Sequence, residues 1–433
     1  MKPSLLFPPT RRFIFGVTAF KRTLFIACIS ALNLVFSIGS PANADVVTDW
    51  NNAALDAIRA GHTAPPIASR SLAILHASIY DAVNGIARTN QPYLVPSAVP
   101  PSASRPAAAS AAAHQALVNL FPASASTFDA LHTAILATIP DGPQKRAGIM
   151  WGEYVANQIL VARANDGFDA VVAPPGGSGP GVWIPTPPLF LPYLLPQWGF
   201  VRPFAMSSSS QFRPPGPPSL DSQRFATDLE ETKELGEDVG STRTEDQTTI
   251  ALFWADGPGT ETPPGHWNSI AQIIAAAHGN TLEQNARLFA LLNIATADAA
   301  INAWDAKYTF NFWRPVTAIN FYEPGLNWMP LLVTPPFPEY TSGHSTFSAA
   351  GATVLSLFYN GAQLPFTTGS DFLPGVFRSF STTFDAAQEA GRSRIYGGIH
   401  FNSANLDALA AGISIANWTF TNYLQPKPNR PRR

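Results

Sequence analysis

Apolar residues recur at helical spacing along most of the chain, and Asn-Gly, Asp-Gly and proline stop signals separate the runs. Serines at 126 and 219 are expected N-caps, and Thr281-Leu-Glu-Gln284 resembles a capping box that opens a long helix running through Trp304 towards Lys307. Clear strand alternation and fixed-period repeats are absent from the sequence. It therefore predicts a single all-α domain over residues 45–433, built as two packed four-helix-type bundles. The predicted helices on the N-terminal side of this long helix span residues 49–60, 66–86, 105–121, 126–139, 144–165, 219–236, 246–254 and 266–277.

Residues 172–218 interrupt this helical pattern. They are dense in proline and glycine, and composition alone favours disorder. They also hold Trp183, Trp198 and several phenylalanines, which are rare in disordered segments. The segment is therefore predicted to be an ordered, irregular wrap over the helices, and a binding role for it is the weaker alternative.

The first 44 residues have the pattern of a signal peptide. Five basic residues and no acidic ones accompany an apolar run at 24–38, and Ala42-Asn43-Ala44 fits a small-residue cleavage site. This pattern predicts an exported protein, periplasmic or secreted, with a retained anchor as the alternative and the export route left open. The single cysteine, Cys28, lies in this segment, so the mature chain is expected to have no disulfide and no cysteine chemistry.

Charge and hydropathy narrow the possible partners. Residues 45–433 carry 22 basic and 29 acidic groups, a net charge of about −7, which does not suit a nucleic-acid-binding surface. After the predicted signal, no apolar run reaches the ~18 residues that a membrane-spanning helix needs. We therefore expect neither nucleic-acid binding nor integral membrane association after signal cleavage.

Residues 338–345, Pro-Glu-Tyr-Thr-Ser-Gly-His-Ser, are the first stretch with candidate chemistry. An apolar helical run follows at 347–358, so Ser342, Gly343 and His344 are expected at a helix N-terminus, where free N–H groups and the helix dipole favour anions. Gly343 allows a close backbone approach, and His344 can move a proton near neutral pH. Alone, the motif more often marks an N-cap serine beside a structural histidine.

Two cationic pairs flank this motif. Lys307 and Arg314 are seven residues apart, about two helical turns, and are expected to share one helix face. Arg394 and His400 are six apart and point away from each other unless the glycines at 397–398 end the helix, as we expect. Aromatic neighbours of Lys307 and Arg314 indicate half-buried cations that need an anion. Three cations, a helix N-terminus and two histidines describe a site for a tetrahedral oxyanion.

Taken together, the three segments resemble the signature shared by the vanadium-dependent haloperoxidases and the related bacterial acid phosphatases and lipid phosphatases. Phe-Trp-Arg-Pro at 312–315, Pro-Phe-Pro at 336–338 and Arg-Ile-Tyr-Gly-Gly-Ile-His at 394–400 are most similar to the haloperoxidases. The likeness is strongest over 246–407 and looser from Asp45 onward. The resemblance implies the same architecture of two helical bundles, with the site inside the second.

The resemblance also implies a role for each residue of the three segments. His400 bonds vanadium axially through its imidazole, or attacks phosphorus in the phosphatases. His344 is the acid or base near the apical oxygen, and Lys307 polarises the peroxide, so these three are the expected catalytic residues. The oxyanion, vanadate or phosphate, is expected to be bound by Lys307, Arg314, Ser342, Gly343, Arg394 and His400.

Four further positions lie at the edge of this set. Trp304 and Phe337 match the positions that the chloroperoxidase branch places beside the metal, although core packing explains both equally well. Asp246 and Asp407 are candidates to orient a buried arginine or histidine, which usually needs a carboxylate. Relatives often carry an aspartate sooner after the histidine, whereas this chain has Asn402-Ser-Ala-Asn405 there. That departure weakens the argument for Asp407.

Three functions remain open at this point. The first is an exported vanadate-dependent haloperoxidase, which uses hydrogen peroxide to oxidise a halide to a hypohalous species that reacts with a small organic acceptor. It needs neither haem nor flavin. The second is a phosphatase in which His400 forms a phospho-histidine intermediate and His344 protonates the leaving group. The third is a non-catalytic oxyanion-binding protein. The halide, the acceptor and the oligomeric state are not predicted.

Overall fold

The computed structural model describes residues 45–361 and 363–428. The predicted signal peptide therefore lies outside the described residues. Within the described residues the chain forms thirteen α-helices and one small two-stranded sheet, and the predicted all-α class is confirmed. None of the helices in this part of the chain is long and apolar enough to cross a membrane.

The first five helices precede the irregular segment at 172–218, and the other eight follow it. The strands β1 (Phe366–Gly369) and β2 (Phe377–Phe380) pair antiparallel between the eleventh and twelfth helices. The helices are α1 Val46–Ala60, α2 Pro65–Ala87, α3 Arg105–Leu120, α4 Ala125–Ala137, α5 Pro143–Arg163, α6 Gln223–Gly236, α7 Glu245–Phe253, α8 Thr262–Ala277, α9 Leu282–Phe310, α10 Pro315–Tyr322, α11 Gly343–Phe358, α12 Thr383–Tyr396 and α13 Asn402–Asn422.

Helix ends differ from the sequence prediction at several places. The capping box at Thr281 is present, but α4 is preceded by Ser124 rather than Ser126. The cap of α6 is Ser222 rather than Ser219, because the Ser222 hydroxyl is the one that accepts the Phe225 N–H. Helix α8 begins four residues before the predicted start, since prolines fit the first turn of a helix. The pattern also missed α10 and the hairpin, whose strands of four residues are too short to show alternation.

Helix α9 connects two groups of helices. On one side it packs against α2, which contacts α3 and α5; on the other side it packs against α11 and α13, which contact α12. Nearly every residue of α9 from Asn285 to Lys307 is buried. A helix that is buried on all faces belongs at the centre of a protein, and α9 ends at the candidate site.

Glycines allow the close packing of α3 against α5. A Cβ atom at Gly152 would lie 2.2 Å from the Ala108 carbonyl oxygen and 2.9 Å from the Ala112 nitrogen. We expect Gly152→Ala to lower the free energy of unfolding by about 1–2 kcal/mol, because overpacking outweighs the gain in helix propensity. Denaturant unfolding measures this change. Gly325→Ala, where nothing lies within 4 Å of the added atom, is the control; equal stability of both variants would contradict the close contact.

The segment 172–218 contains only irregular structure and one turn of 3-10 helix, and it packs over the C-terminal end of α9. Trp183 and Trp198 are each 1% exposed. The Leu194 carbonyl accepts hydrogen bonds from the Trp304 indole N–H (3.3 Å) and the Tyr308 hydroxyl (2.6 Å). The segment therefore covers the end of the helix that carries Lys307.

Candidate functional site

Helix α11 begins at Gly343, as predicted, and Ser342 is its N-cap. The Ser342 hydroxyl accepts the Ser345 N–H at 3.3 Å and lies 2.8 Å from the Ser345 hydroxyl. Gly343 and Ser342 are buried. The first turn of α11 thus presents free backbone N–H groups to the interior, which is the property that favours an anion.

Lys307 lies in the last turn of α9 and fixes the loop that precedes α11. Its Nζ donates to the carbonyls of Pro338 (2.9 Å), Glu339 (3.0 Å) and Thr341 (2.5 Å). Burial, together with the nearby Arg314 charge, holds the pKa of Lys307 well below its usual range, while Glu339 opposes this shift. An anion near Lys307 would relieve the cost of this buried charge.

Arg314 reaches the site from a different element than the sequence predicts. Helix α9 ends at Phe310 and Asn311 takes a left-handed conformation, so the expectation that Lys307 and Arg314 share one helix face is wrong. Arg314 instead precedes α10 as its N-cap residue. Its Nε donates to the Phe337 carbonyl (2.8 Å) and its Nη1 to the Ile399 carbonyl (2.7 Å), whereas Nη2 is buried without a partner.

Arg394 and His400 come together because α12 ends at Tyr396, as predicted. Gly398 takes a φ of +74°, which a residue with a side chain rarely adopts, and the His400 N–H then bonds the Arg394 carbonyl at 3.3 Å. Arg394 Nη1 donates to the Trp254 carbonyl (2.8 Å), and its Nε is buried without a partner. The two residues therefore face the same interior region despite their six-residue spacing.

His400 contacts two of the charged residues. Its Nε2 lies 3.2 Å from Arg314 Nη1, and its Nδ1 lies 2.8 Å from Glu339 Oε1. Burial first, and then the charges of Arg314, Lys307 and Arg394, lower the pKa of His400 well below its usual range. His400 is therefore a neutral imidazole at neutral pH.

The other titratable groups respond to the same surroundings. Burial and the Arg394 charge lower the pKa of His344 well below its usual range. Burial lowers the pKa of Arg314 to about 9 and that of Arg394 to about 10. Burial raises the pKa of Glu339 to about 8, against the lowering effects of the Phe401 N–H, Arg314 and Lys307. The site thus holds several costly cationic groups around one carboxyl group.

Trp304 and Phe337 form an aromatic wall beside the cations. Their ring centroids are 5.0 Å apart, and Lys307 Nζ lies 4.8 Å from the Phe337 centroid. The Arg314 guanidinium carbon lies at the same distance from that ring. Both aromatic residues therefore border the candidate site, and their role towards a halide remains a prediction.

The carboxylates suggested by the sequence lie elsewhere. Asp246 accepts from Arg378, and Asp407 accepts from the Tyr340 hydroxyl (2.8 Å) and from Arg224. Neither hydrogen-bonds to His400: Asp407 lies on α13, a new helix that begins at Asn402, and Asp246 lies on α7. This corrects the expectation that Asp246 or Asp407 orients the site.

Two other acidic residues, which the sequence analysis missed, lie beside the histidine and an arginine of the site. Glu339 contacts His400, and Asp256 lies near enough to Arg394 to oppose the lowering of its pKa. Glu339 stands inside the motif at 338–345, so its position was a usable signal. Asp256 follows α7, far from the three motifs in sequence, and nothing in its spacing points to the site.

Comparisons with known proteins show which proteins this chain resembles. Residues 287–426 match the family model of the VCPO second helical-bundle domain. The vanadium chloroperoxidase of Curvularia inaequalis is 27% identical over 413 residues, covering 74% of this chain and 66% of that protein, so the chain spans just under two thirds of its length. A structure described as the first bacterial vanadium-dependent iodoperoxidase has a TM-score of 0.78 and 28% identity, covering 88% of this chain and 97% of that one. The chain is related to the vanadium-dependent haloperoxidases.

A bacterial vanadium-dependent chloroperoxidase in its holo form has a similar fold. Its TM-score is 0.67 at 16% identity, and the alignment covers 83% of this chain and 92% of that one. At this identity the likeness extends to the fold alone.

An oxyanion fits the buried polar atoms that this chain presents. Arg314 Nη2, Arg394 Nε and His344 Nε2 are all buried without a hydrogen-bond partner. Buried polar atoms normally have partners, so a cluster of unpartnered ones calls for an explanation. A tetrahedral oxyanion supplies acceptors for several donors at once, and the His400 ring and the first turn of α11 border the same region.

Proposed function

We propose that this chain is an exported vanadate-dependent haloperoxidase that oxidises a halide with hydrogen peroxide. The single observation that carries the proposal is the set of unpartnered buried donors beside the neutral His400 ring. The relation to chloroperoxidases and an iodoperoxidase supports it. Export rests on the sequence of residues 1–44 alone.

In this proposal the bound group is vanadate, which supplies a Lewis acid that activates peroxide without changing its own oxidation state. His400 Nε2 would hold this group. The guanidinium groups of Arg314 and Arg394, with the Gly343 N–H and the Ser342 hydroxyl, would donate hydrogen bonds to its oxygens. The Lys307 charge would offset its negative charge.

His344 is the proposed proton carrier. Its pKa is lowered and its Nε2 is buried without a partner, so the neutral ring is free to accept a proton as peroxide enters. Trp304 and Phe337 exclude bulk water from one side of the cations. A small organic acceptor then reacts with the hypohalous product. The identity of the halide is determined by the test below.

The same geometry supports a phosphatase as the second candidate. The neutral imidazole of His400 has its Nδ1 held by Glu339 and an unprotonated Nε2, which could attack phosphorus once it gives up the hydrogen bond from Arg314. His344 would then protonate the leaving group. In this reading vanadate is an inhibitor rather than a cofactor.

The test is vanadate-dependent halogenation. We expect the purified metal-free protein to halogenate a dimedone-type acceptor with hydrogen peroxide only after orthovanadate is added, with iodide, bromide and chloride compared in parallel. We expect His400→Ala to abolish this activity, because the imidazole nitrogen that would hold vanadate is lost. The control is His278→Ala, at the exposed end of α8. Hydrolysis of a phosphate ester that vanadate blocks, without halogenation, would instead establish the phosphatase.

A further inference from the structure

Glu339 occupies a fixed position between the cations and His400. It is 1% exposed, its N–H bonds the Phe312 carbonyl (2.9 Å), and its own carbonyl accepts from Lys307. One carboxyl oxygen, Oε1, lies 2.8 Å from His400 Nδ1 and accepts the Phe401 N–H at 2.9 Å. The backbone on both sides of this contact is therefore held in place before any ligand enters.

The protonation of the His400 ring follows from its two partners. Arg314 can only donate hydrogen bonds, so His400 Nε2, at 3.2 Å from its Nη1, is the acceptor. A neutral imidazole carries one proton, which must then be on Nδ1. Glu339 Oε1 already accepts from Phe401, and it accepts this second proton as well. Both ends of the ring thus require the same tautomer.

No other carboxylate in the described part of the chain hydrogen-bonds to this ring. The asparagines at 402 and 405 stand where relatives often carry an aspartate, and Asn405 Oδ1 lies 2.8 Å from the Ser345 hydroxyl. Asp407 is bonded to Tyr340 and Arg224. The carboxylate that orients the ring therefore comes from the loop before α11 rather than from α13.

We infer that Glu339 is the positioning residue of His400: its carboxyl oxygen holds the ring with the proton on Nδ1 and turns the unprotonated Nε2 towards the oxyanion. The inference rests on the proposed function only in taking His400 as the residue that faces the oxyanion. A hydrogen bond from the far nitrogen to a carboxylate also makes an imidazole a stronger donor to a metal. Glu339 itself does not touch the oxyanion.

Vanadate affinity is the first readout, measured by equilibrium dialysis of the metal-free full chain without peroxide or halide. We expect Glu339→Ala to weaken vanadate binding by about 10- to 100-fold. Glu339→Gln keeps an acceptor at the same place but lacks an ionisable carboxyl group, so its affinity should lie between Glu339→Ala and wild type. The matched control is Asp81→Asn. Asp81 is another buried acidic residue, and its carboxylate on α2 accepts the backbone N–H groups of residues 93–95. It should lose stability but keep wild-type affinity.

The ring proton is the second readout and needs no vanadate. In protein labelled with ¹⁵N-histidine, the His400 signals, assigned with His400→Ala, should show a proton on Nδ1 that exchanges slowly and lies far downfield. We expect this signal to move upfield in Glu339→Gln and to vanish in Glu339→Ala. A proton on Nε2 in the wild type, or an unchanged signal and unchanged affinity in Glu339→Ala, would overturn the inference.

The two readouts separate this inference from the proposed function. Neither assay involves halide oxidation. A protein that binds vanadate but does not halogenate would contradict the haloperoxidase proposal, and the two readouts would still test the role of Glu339. If the wild type binds no vanadate, the ring proton still decides. A purely structural Glu339 would behave like Asp81, with lower stability and unchanged affinity.

Discussion

Replacing His344 with alanine is expected to lower kcat by about 10²- to 10⁴-fold while vanadate stays bound. His344 is the second residue of α11, and its Nε2 is buried and without a partner, so it is placed to exchange a proton rather than to hold the cofactor. The lowered pKa keeps its ring neutral before reaction. The measurements are steady-state halogenation kinetics and equilibrium dialysis of vanadate on the same preparation.

The comparison with His400→Ala gives this prediction its discriminating power. His400→Ala should lose both vanadate and activity, whereas His344→Ala should separate the two properties. His278→Ala, outside the site, should change neither. A non-catalytic oxyanion-binding protein would show no turnover to lose in any of these proteins. Loss of vanadate from His344→Ala would contradict a proton-transfer role and make the residue part of the anion cradle.

The helices were predictable because their signals are local. The capping box at Thr281 and the glycines after Tyr396 act within a few residues, and both behave as the sequence indicates. The identities of the clustered cations were also predictable, since Lys307 and Arg314 among aromatic neighbours have no low-cost place except beside an anion. What the sequence did not determine is how each residue reaches the site.

The missed features depend on contacts between distant segments. The left-handed turn at Asn311 redirects the chain, and a seven-residue spacing cannot reveal it. The pairing of Glu339 with His400 joins residues 61 positions apart, so no local pattern encodes it. Asp407 lies on α13, which begins at Asn402, after His400. The break before α13 gives it a different partner, Tyr340.

The Lys307 ammonium group has two possible partners, the carbonyls of the 338–341 loop and the oxyanion. All three of its protons are donated to loop carbonyls, so it fixes the approach to α11 before any anion arrives. To bond an oxyanion directly it must release one of these carbonyls. Its charge acts on the anion in either case, because the site is buried and the interaction is weakly screened.

Lys307→Met is expected to weaken vanadate binding by about 2–5 kcal/mol, roughly 30- to 4,000-fold in Kd. Methionine has a similar length but neither charge nor donor, so the anion loses a buried counter-charge and the loop at 338–341 loses its ties. In the absence of vanadate, Lys307→Met should change the free energy of unfolding by less than the three lost hydrogen bonds suggest. Each buried carbonyl left without a donor costs about 1–3 kcal/mol, but the variant also removes a charge whose burial is unfavourable.

Thermal unfolding with and without vanadate checks this balance, alongside equilibrium dialysis. Wild type should gain about 2.7 kcal/mol at vanadate concentrations near 100 times its Kd, and Lys307→Met should gain less than about 1 kcal/mol at the same concentration. Lys233→Met removes a half-buried lysine of α6 that is paired with Glu230 and Glu323; it is the matched control and should respond to vanadate as the wild type does. Wild-type affinity in Lys307→Met would mean that the ammonium serves the loop alone and that Arg314 and Arg394 carry the charge of the site.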